Sequence, residues 1–231
     1  MLTINNLHFE AGPFSLELSV ELHRKVTGLY GPSGSGKTTL LEIIAGLKRP
    51  RKGCISLGNR ELFNATTATW VKPESRQVGY VPQDLALFPH KTTRANLLYG
   101  SPIDQSEFGH IVSEFQLEPL LDRFPHGLSG GEKQRVAIGR ALMTKPRFLM
   151  LDEPLSSLDQ PLKSRALDFF RRLKESFQVP ILYVSHDASE LGEICDEVVV
   201  LAAGRIISQG KISEVFAEVQ ETRYYYRKRM E

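Results

Sequence analysis

The sequence predicts an α/β protein: a mostly parallel sheet wrapped by helices, with an antiparallel β portion near the start and a helical insertion in the middle. Three observations carry this reading. Val26 to Tyr30, Phe148 to Leu151 and Ile181 to Ser185 are short apolar runs followed by loop residues, as expected of strands covered on both faces of a parallel sheet. Phe14, Leu16, Leu18 and Val20 alternate with Ser15, Glu17, Ser19 and Glu21, the period-two pattern of a half-buried antiparallel strand. Helical spacing then recurs between the apolar runs, where parallel strands need crossovers.

In chain order, the first crossover helix is expected over Thr38 to Ala45, stopped by Gly46. The middle of the chain reads as mostly helical. Asp104 with Glu107 makes a capping pair, and Phe108, Ile111, Val112 and Phe115 form one apolar stripe read as packing. A further helix is expected from about Gly131 to Lys145, because Pro146 would end it. Another opens at Pro161, where Leu162, Ala166, Phe169, Phe170, Leu173 and Phe177 keep helical spacing. The chain thus divides into a core at about 1–83 and 147–220, a helical insertion at 84–146 and a short tail at 221–231. The aromatic and basic cluster Tyr224 to Arg229 in that tail reads as a solvated terminus.

Composition narrows the function classes. The 231 residues are 41% apolar, enough to build one large core. Lys and Arg number 29 against 27 Asp and Glu, and a net charge of +2 supplies no broad field for gripping a phosphate backbone. No nucleic-acid partner is expected. Cys54 and Cys195 form neither a metal pair nor a disulfide framework, which suits a reducing cytosol. The longest apolar run, Val198 to Ala203, is far short of the ~20 residues needed to span a bilayer. Any membrane role must come through a partner.

Gly31-Pro32-Ser33-Gly34-Ser35-Gly36-Lys37-Thr38 matches the phosphate-loop pattern G-x-x-x-x-G-K-[ST] and lies between a buried strand and an apolar-periodic helix, with Thr39 next in line. Glycines let the backbone curl so that successive N–H groups point at phosphate oxygens, and the helix start adds partial positive charge. Lys37 supplies a cation for the β- and γ-phosphates, and the Thr38 hydroxyl is placed to ligate Mg²⁺. Phe148-Leu149-Met150-Leu151 then delivers Asp152 and Glu153 to the carboxyl end of a buried strand, where open α/β sheets bind ligands. Asp152 is placed to hold the Mg²⁺ shell and Glu153 to polarise an attacking water. Leu128-Ser129-Gly130-Gly131-Glu132-Lys133-Gln134 puts a serine and two glycines at a helix start, a second anion grip.

In combination these elements resemble the ATP-binding cassette (ABC) ATPases, over nearly the whole chain and in the same order: the Lys37 loop, Gln83, Ser129, Asp152-Glu153, Ser156-Ser157-Leu158-Asp159 and His186. The resemblance implies a P-loop NTPase (RecA-like) core with an antiparallel β subdomain and a helical subdomain, and ATP with Mg²⁺ as ligands. It makes Gln83 a contact to Mg²⁺ or the attacking water, His186 the histidine that meets the γ-phosphate, and Ser157 and Asp159 part of a loop crossing a dimer interface. The adenine should stack on an upstream aromatic. Phe9 and Phe14 are both candidates, with Phe9 slightly preferred.

The resemblance also implies a head-to-tail homodimer in which each ATP lies between the Lys37 loop of one chain and Ser129, Gly130 and Gly131 of the other. Two transmembrane permease subunits and an external substrate-binding protein would complete the assembly at the cytoplasmic face of the cell membrane, with Leu87-Phe88-Pro89-His90 lining a groove for the permease. Gly79 to Gln83, Leu87 to His90, Asn96 to Gly100, Leu120 to Arg123 and Ser129 to Leu142 look most like ATPase subunits of bacterial importers of molybdate and related oxyanions. Such subunits commonly carry an additional β-rich regulatory domain, and this chain ends near where it would begin. Competing readings are a soluble relative acting on nucleic acid or ribosomes, and an exporter subunit.

Overall fold

The computed structural model describes residues 1–100, 105–156 and 160–217. Six α-helices and eleven β-strands are defined among them. An antiparallel sheet is built from β1 (Leu2–Ala11), β2 (Phe14–Leu22), β4 (Lys52–Leu57), β5 (Arg60–Asn64) and β6 (Thr69–Trp70), in the order β2-β1-β4-β5-β6. A second sheet runs β11-β10-β3-β9-β8-β7, from β3 (Val26–Tyr30), β7 (Val78–Val81), β8 (Phe148–Asp152), β9 (Ile181–Ser185), β10 (Glu197–Ala202) and β11 (Arg205–Gly210). Its strands are parallel except β11, which closes one edge antiparallel to β10.

Alternate residues of the parallel strands face two cores. Leu149, Leu151, Ile181, Tyr183, Val198 and Val200 join one that includes α4 (Gly130–Met143), α5 (Gln160–Ser176) and α6 (Ala188–Ile194). Phe148, Met150, Leu182, Val184, Val199 and Leu201 join the other, against α1 (Lys37–Ala45) and the antiparallel sheet. Burial on both faces is why these strands read as continuous apolar runs. Between β7 and β8 the chain forms α2 (Thr93–Leu97), α3 (Gln105–Glu114), α4 and two short 3₁₀ turns. The Phe108, Ile111, Val112 and Phe115 stripe packs as expected, with Ile111, Val112 and Phe115 buried.

Several boundaries differ from the sequence reading. α1 opens at Lys37, one residue early, because Gly36 takes a left-handed conformation (φ 107°) that lets the loop run straight into the helix. α4 starts at Gly130 because Ser129 is its N-cap, and it ends at Met143, two residues before Lys145. Asp104, half of the expected capping pair, lies outside the described residues, as do Ser157, Asp159 and the Tyr224 to Arg229 cluster.

One polar side chain ties the layers together. Arg76 is fully buried and donates to the Ile43 and Ile44 carbonyls at 2.8 Å each, at the end of α1, while its guanidinium lies 4.6 Å from the Trp70 ring centroid. Burial lowers its pKa to about 10, so the cation persists at neutral pH and meets the negative end of the helix.

Candidate nucleotide site

The parallel strands deliver the site at their carboxyl ends: β3 leads into the phosphate loop, β7 into Gln83, β8 into Asp152 and Glu153, and β9 into His186. A cavity of about 490 Å³ there is lined by Phe14, Ser33, Gly34, Gly36, Lys37, Thr38, Thr39, Gln83 and Glu153. Two loop glycines are demanded by the chain itself. A Cβ on Gly31 would lie 2.2 Å from the Leu201 carbonyl oxygen, and one on Gly36 would lie 2.8 Å from the Phe14 ring in addition to its left-handed φ.

Lys37 is 6% exposed and donates to the carbonyls of Gly31 (2.8 Å) and Pro32 (3.1 Å), with its Nζ 3.7 Å from Glu153 Oε1. Thr38 Oγ1 donates to Asp152 Oδ2 at 2.9 Å. Asp152 is buried, and that burial pushes its carboxyl above the usual carboxylate range; the Thr38 hydrogen bond opposes the shift and the neighbouring Glu153 charge adds to it. Glu153 stands at φ 47°, a left-handed backbone for a residue with a Cβ, the kind of strain that active sites hold. Its Oε2 is 3.2 Å from His186 Nδ1, and its backbone carbonyl accepts from Ser156 Oγ at 2.8 Å. Gln83 Nε2 donates to that same hydroxyl at 3.4 Å. Lys37, Thr38, Gln83, Asp152, Glu153 and His186 are thus joined in one region.

The set fits a hard dication. Its oxygen donors are the Thr38 hydroxyl, the Asp152 carboxylate and the Gln83 amide, and the buried Asp152 beside Glu153 is an acidic pair that a cation would relieve. The Ser35 hydroxyl, buried in the phosphate loop with no hydrogen-bond partner among the described residues, marks a spot built for an absent acceptor.

The second grip is separate. Ser129 and Gly130 are exposed at the start of α4, where Ser129 Oγ accepts from Glu132 N (3.4 Å) and Glu132 Oε2 accepts from Ser129 N (2.7 Å). This capping box pairs the Ser129 and Glu132 N–H groups within the chain. The adjoining cavity of about 340 Å³, lined in part by Ser129, Gly131, Gln134, Arg135 and Arg172, shares no described lining residue with the first.

Of the two adenine candidates, Phe14 lines the cavity beside Gly36, and Phe9 lies on β1 opposite Leu16 and is not among the cavity's lining; both pack against the core under the antiparallel sheet. Sequence reasoning missed Tyr80, whose hydroxyl lies 3.5 Å from Asp152 Oδ2, and Glu190, buried and accepting from Ser185 next to His186 in sequence. An aromatic inside an apolar run and an acid on a short helix carry no signal of their own.

Strands that converge on a glycine-rich loop, a lysine at a helix start and a buried acidic pair define a P-loop nucleotide-binding protein. The chain belongs to the ABC transporter family, whose model matches residues 15–156. It is 46% identical over 214 residues to the molybdenum import ATP-binding protein ModC of Yersinia pestis bv. Antiqua (strain Antiqua), covering 92% of this chain and 60% of that one. Its identity to the protein of the same name from Escherichia coli (strain K12) is 50% over 194 residues, covering 83% and 54%. The chain therefore spans little more than half the length of these curated relatives. Among solved structures, a nucleotide-free ATP-binding cassette from an ABC transporter matches with TM-score 0.80 at 26% identity, covering 96% of this chain and 95% of that one. The cbiO1 protein of Clostridium perfringens, part of the ABC transporter complex cbiONQ, matches with TM-score 0.79 at 28% identity, covering 96% and 93%.

Proposed function

We propose that this chain hydrolyses ATP as the energy-coupling subunit of a membrane importer whose cargo is molybdate or a related oxyanion. The observation that supports the chemistry best is the convergence of Lys37, Thr38, Asp152, Glu153 and His186 at the ends of three adjacent strands. Lys37 presents its ammonium to the terminal phosphates, and the loop N–H groups hold them in place. Thr38, Gln83 and Asp152 would hold Mg²⁺, which when bound neutralises charge on the phosphate oxygens. Glu153 accepts the proton of the attacking water, and His186, whose Nδ1 lies 3.2 Å from its carboxylate, keeps that oxygen aimed. Phe14 stacks on the base.

The signature segment lines a cavity separate from that of the phosphate loop, and we infer a head-to-tail homodimer in which Ser129, Gly130 and Gly131 close on the ATP held by the partner chain, with Asp159 at the same interface. Loss of the γ-phosphate removes contacts that favour the closed pair, which then reopens. Among the described residues no helix is long and apolar enough to cross a membrane. We infer that motion passes to permease subunits at the cytoplasmic face, over a surface at Phe88, His90, Leu98 and Tyr99. There Phe88 and Tyr99 rings lie 4.4 Å apart, Leu98 and Tyr99 are exposed, and Asn96 holds the loop through the Phe88, Lys91 and Thr92 carbonyls. The helical stretch 84–146 is the body that carries both this surface and the signature.

The cargo rests on the names of the relatives at 46% and 50% identity. An external binding protein would select it, because the site described above is built for a nucleotide. The test is ATPase activity of the full complex in lipid, titrated with binding protein loaded with molybdate, sulfate, a sugar or an amino acid. Stimulation by molybdate is expected, and stimulation by the sugar or amino acid alone would overturn the cargo.

A further inference from the structure

A second buried ion pair beside the site has no part in the chemistry above. Glu190, on the short helix α6, is 5% exposed. One of its oxygens accepts from Lys163 Nζ at 2.7 Å and the other from Ser185 Oγ at 2.8 Å. Ser185 Oγ in turn accepts from the backbone N–H of Asp187 at 3.0 Å, and Asp187 Oδ2 lies 3.7 Å from Lys163 Nζ. Both neighbours of His186 are therefore tied to the same cation, one through Glu190 and one directly. Lys163 belongs to α5, three residues into the helix that follows the 157–159 segment.

We propose that Lys163 is a positioning residue for His186, acting through Glu190 and Asp187. The proposal rests on the reading that His186 and Glu153 serve ATP hydrolysis. The physical reason is local. The β9 strand ends at Ser185, and the Asp187 carboxylate turns inward to cap α6 through the N–H groups of Ser189 and Glu190. The His186 side chain is 59% exposed, so burial does little to hold its ring 3.2 Å from Glu153. What holds it is the turn on either side, and that turn is fixed by a buried carboxylate needing a cation to stay charged and hydrogen-bonded. That cation is supplied by α5, so the position of the 185–187 turn is tied to this helix.

The experiment uses the full-length chain and steady-state ATP hydrolysis with Lys163→Met, Lys163→Arg, Glu190→Gln, the Lys163→Met/Glu190→Gln double variant and His186→Ala, alongside binding of a fluorescent ATP analogue and thermal midpoints. Lys163→Met is expected to lower kcat about tenfold or more while KM and analogue affinity stay within about twofold, since misplacement of a catalytic group by a fraction of its reach costs rate rather than binding. Lys163→Arg should recover most of that loss. The double variant should be no slower than the slower single, because both changes break one link. If Lys163→Met does not fold, Glu190→Gln carries the same expectation, its amide keeping the acceptor for Ser185 while losing the charge. A drop in affinity equal to the drop in rate, no recovery with Arg, or additive losses would overturn the proposal. So would full turnover in Lys163→Met and Glu190→Gln when His186→Ala is inactive. Full turnover in His186→Ala would instead overturn the underlying role of His186 and the proposal with it.

Discussion

The phosphate loop and the signature segment both place glycines and a hydroxyl at a helix start, yet the chain treats them differently. Gly31 and Gly36 are required by their own neighbours, which leave no room for a Cβ. Lys37, Thr38, Asp152 and Glu153 are already hydrogen-bonded or paired around the same spot. Gly131 has nothing within 4 Å of where a Cβ would stand, and Ser129 is exposed and satisfied by its own capping box. One grip is complete within the chain. The other carries, next to a serine that caps its own helix, a glycine whose missing side chain no described neighbour demands.

Mutations can break or sharpen that contrast. The largest effect is expected from Glu153→Gln, about a thousandfold loss of kcat, since an amide is no base while Lys37 and Thr38 still hold nucleotide. Light scattering at saturating ATP should then give a dimer, and a strictly monomeric protein would break the account of the signature side. Lys37→Ala should cost about a hundredfold or more in turnover and weaken nucleotide binding, with near wild-type melting, because it removes the loop cation. Gly131→Val should be silent for folding and for nucleotide binding by the single chain, yet reduce turnover about tenfold or more by misplacing the approaching partner. If turnover is unchanged, the open space at Gly131 has no use. The smallest change is expected from Phe14→Ala, a loss of about 1–3 kcal/mol in nucleotide affinity at unchanged kcat, with Phe9→Ala affecting stability instead. Equal loss of affinity in Phe9→Ala would return the adenine to β1.

The parallel strands and the phosphate loop were legible because each has a local signature: a run buried on both faces, and a loop whose backbone needs glycine. The antiparallel sheet was mostly not. β1 has a bulge between Ile4 and Leu7, with Asn6 at φ 49°, and that extra residue destroys the alternation that made β2 readable. β10 reads only as an apolar run, since nothing in Val198 to Ala203 separates strand from buried helix at that length. Among site residues, those in fixed motifs could be named from spacing. Phe14 was ambiguous because either aromatic suits the pattern, and which one faces the loop depends on the β1–β2 register. Lys163 and Glu190 are 27 residues apart and meet only through the packing of α5 on α6, which no sequence pattern announces.

The measurement that bears most directly on the half-site account is complementation between two inactive chains. Ser129→Arg should obstruct the signature side while leaving the phosphate loop intact, and Lys37→Ala does the reverse. Mixed in equal amounts and allowed to exchange, random pairing places one intact composite site in each heterodimer, so ATPase activity should return to about a quarter of the wild-type level per chain. Activity no higher than the sum of the two separate proteins, with heterodimers demonstrated by differential labelling, would contradict the sharing of one nucleotide between two chains.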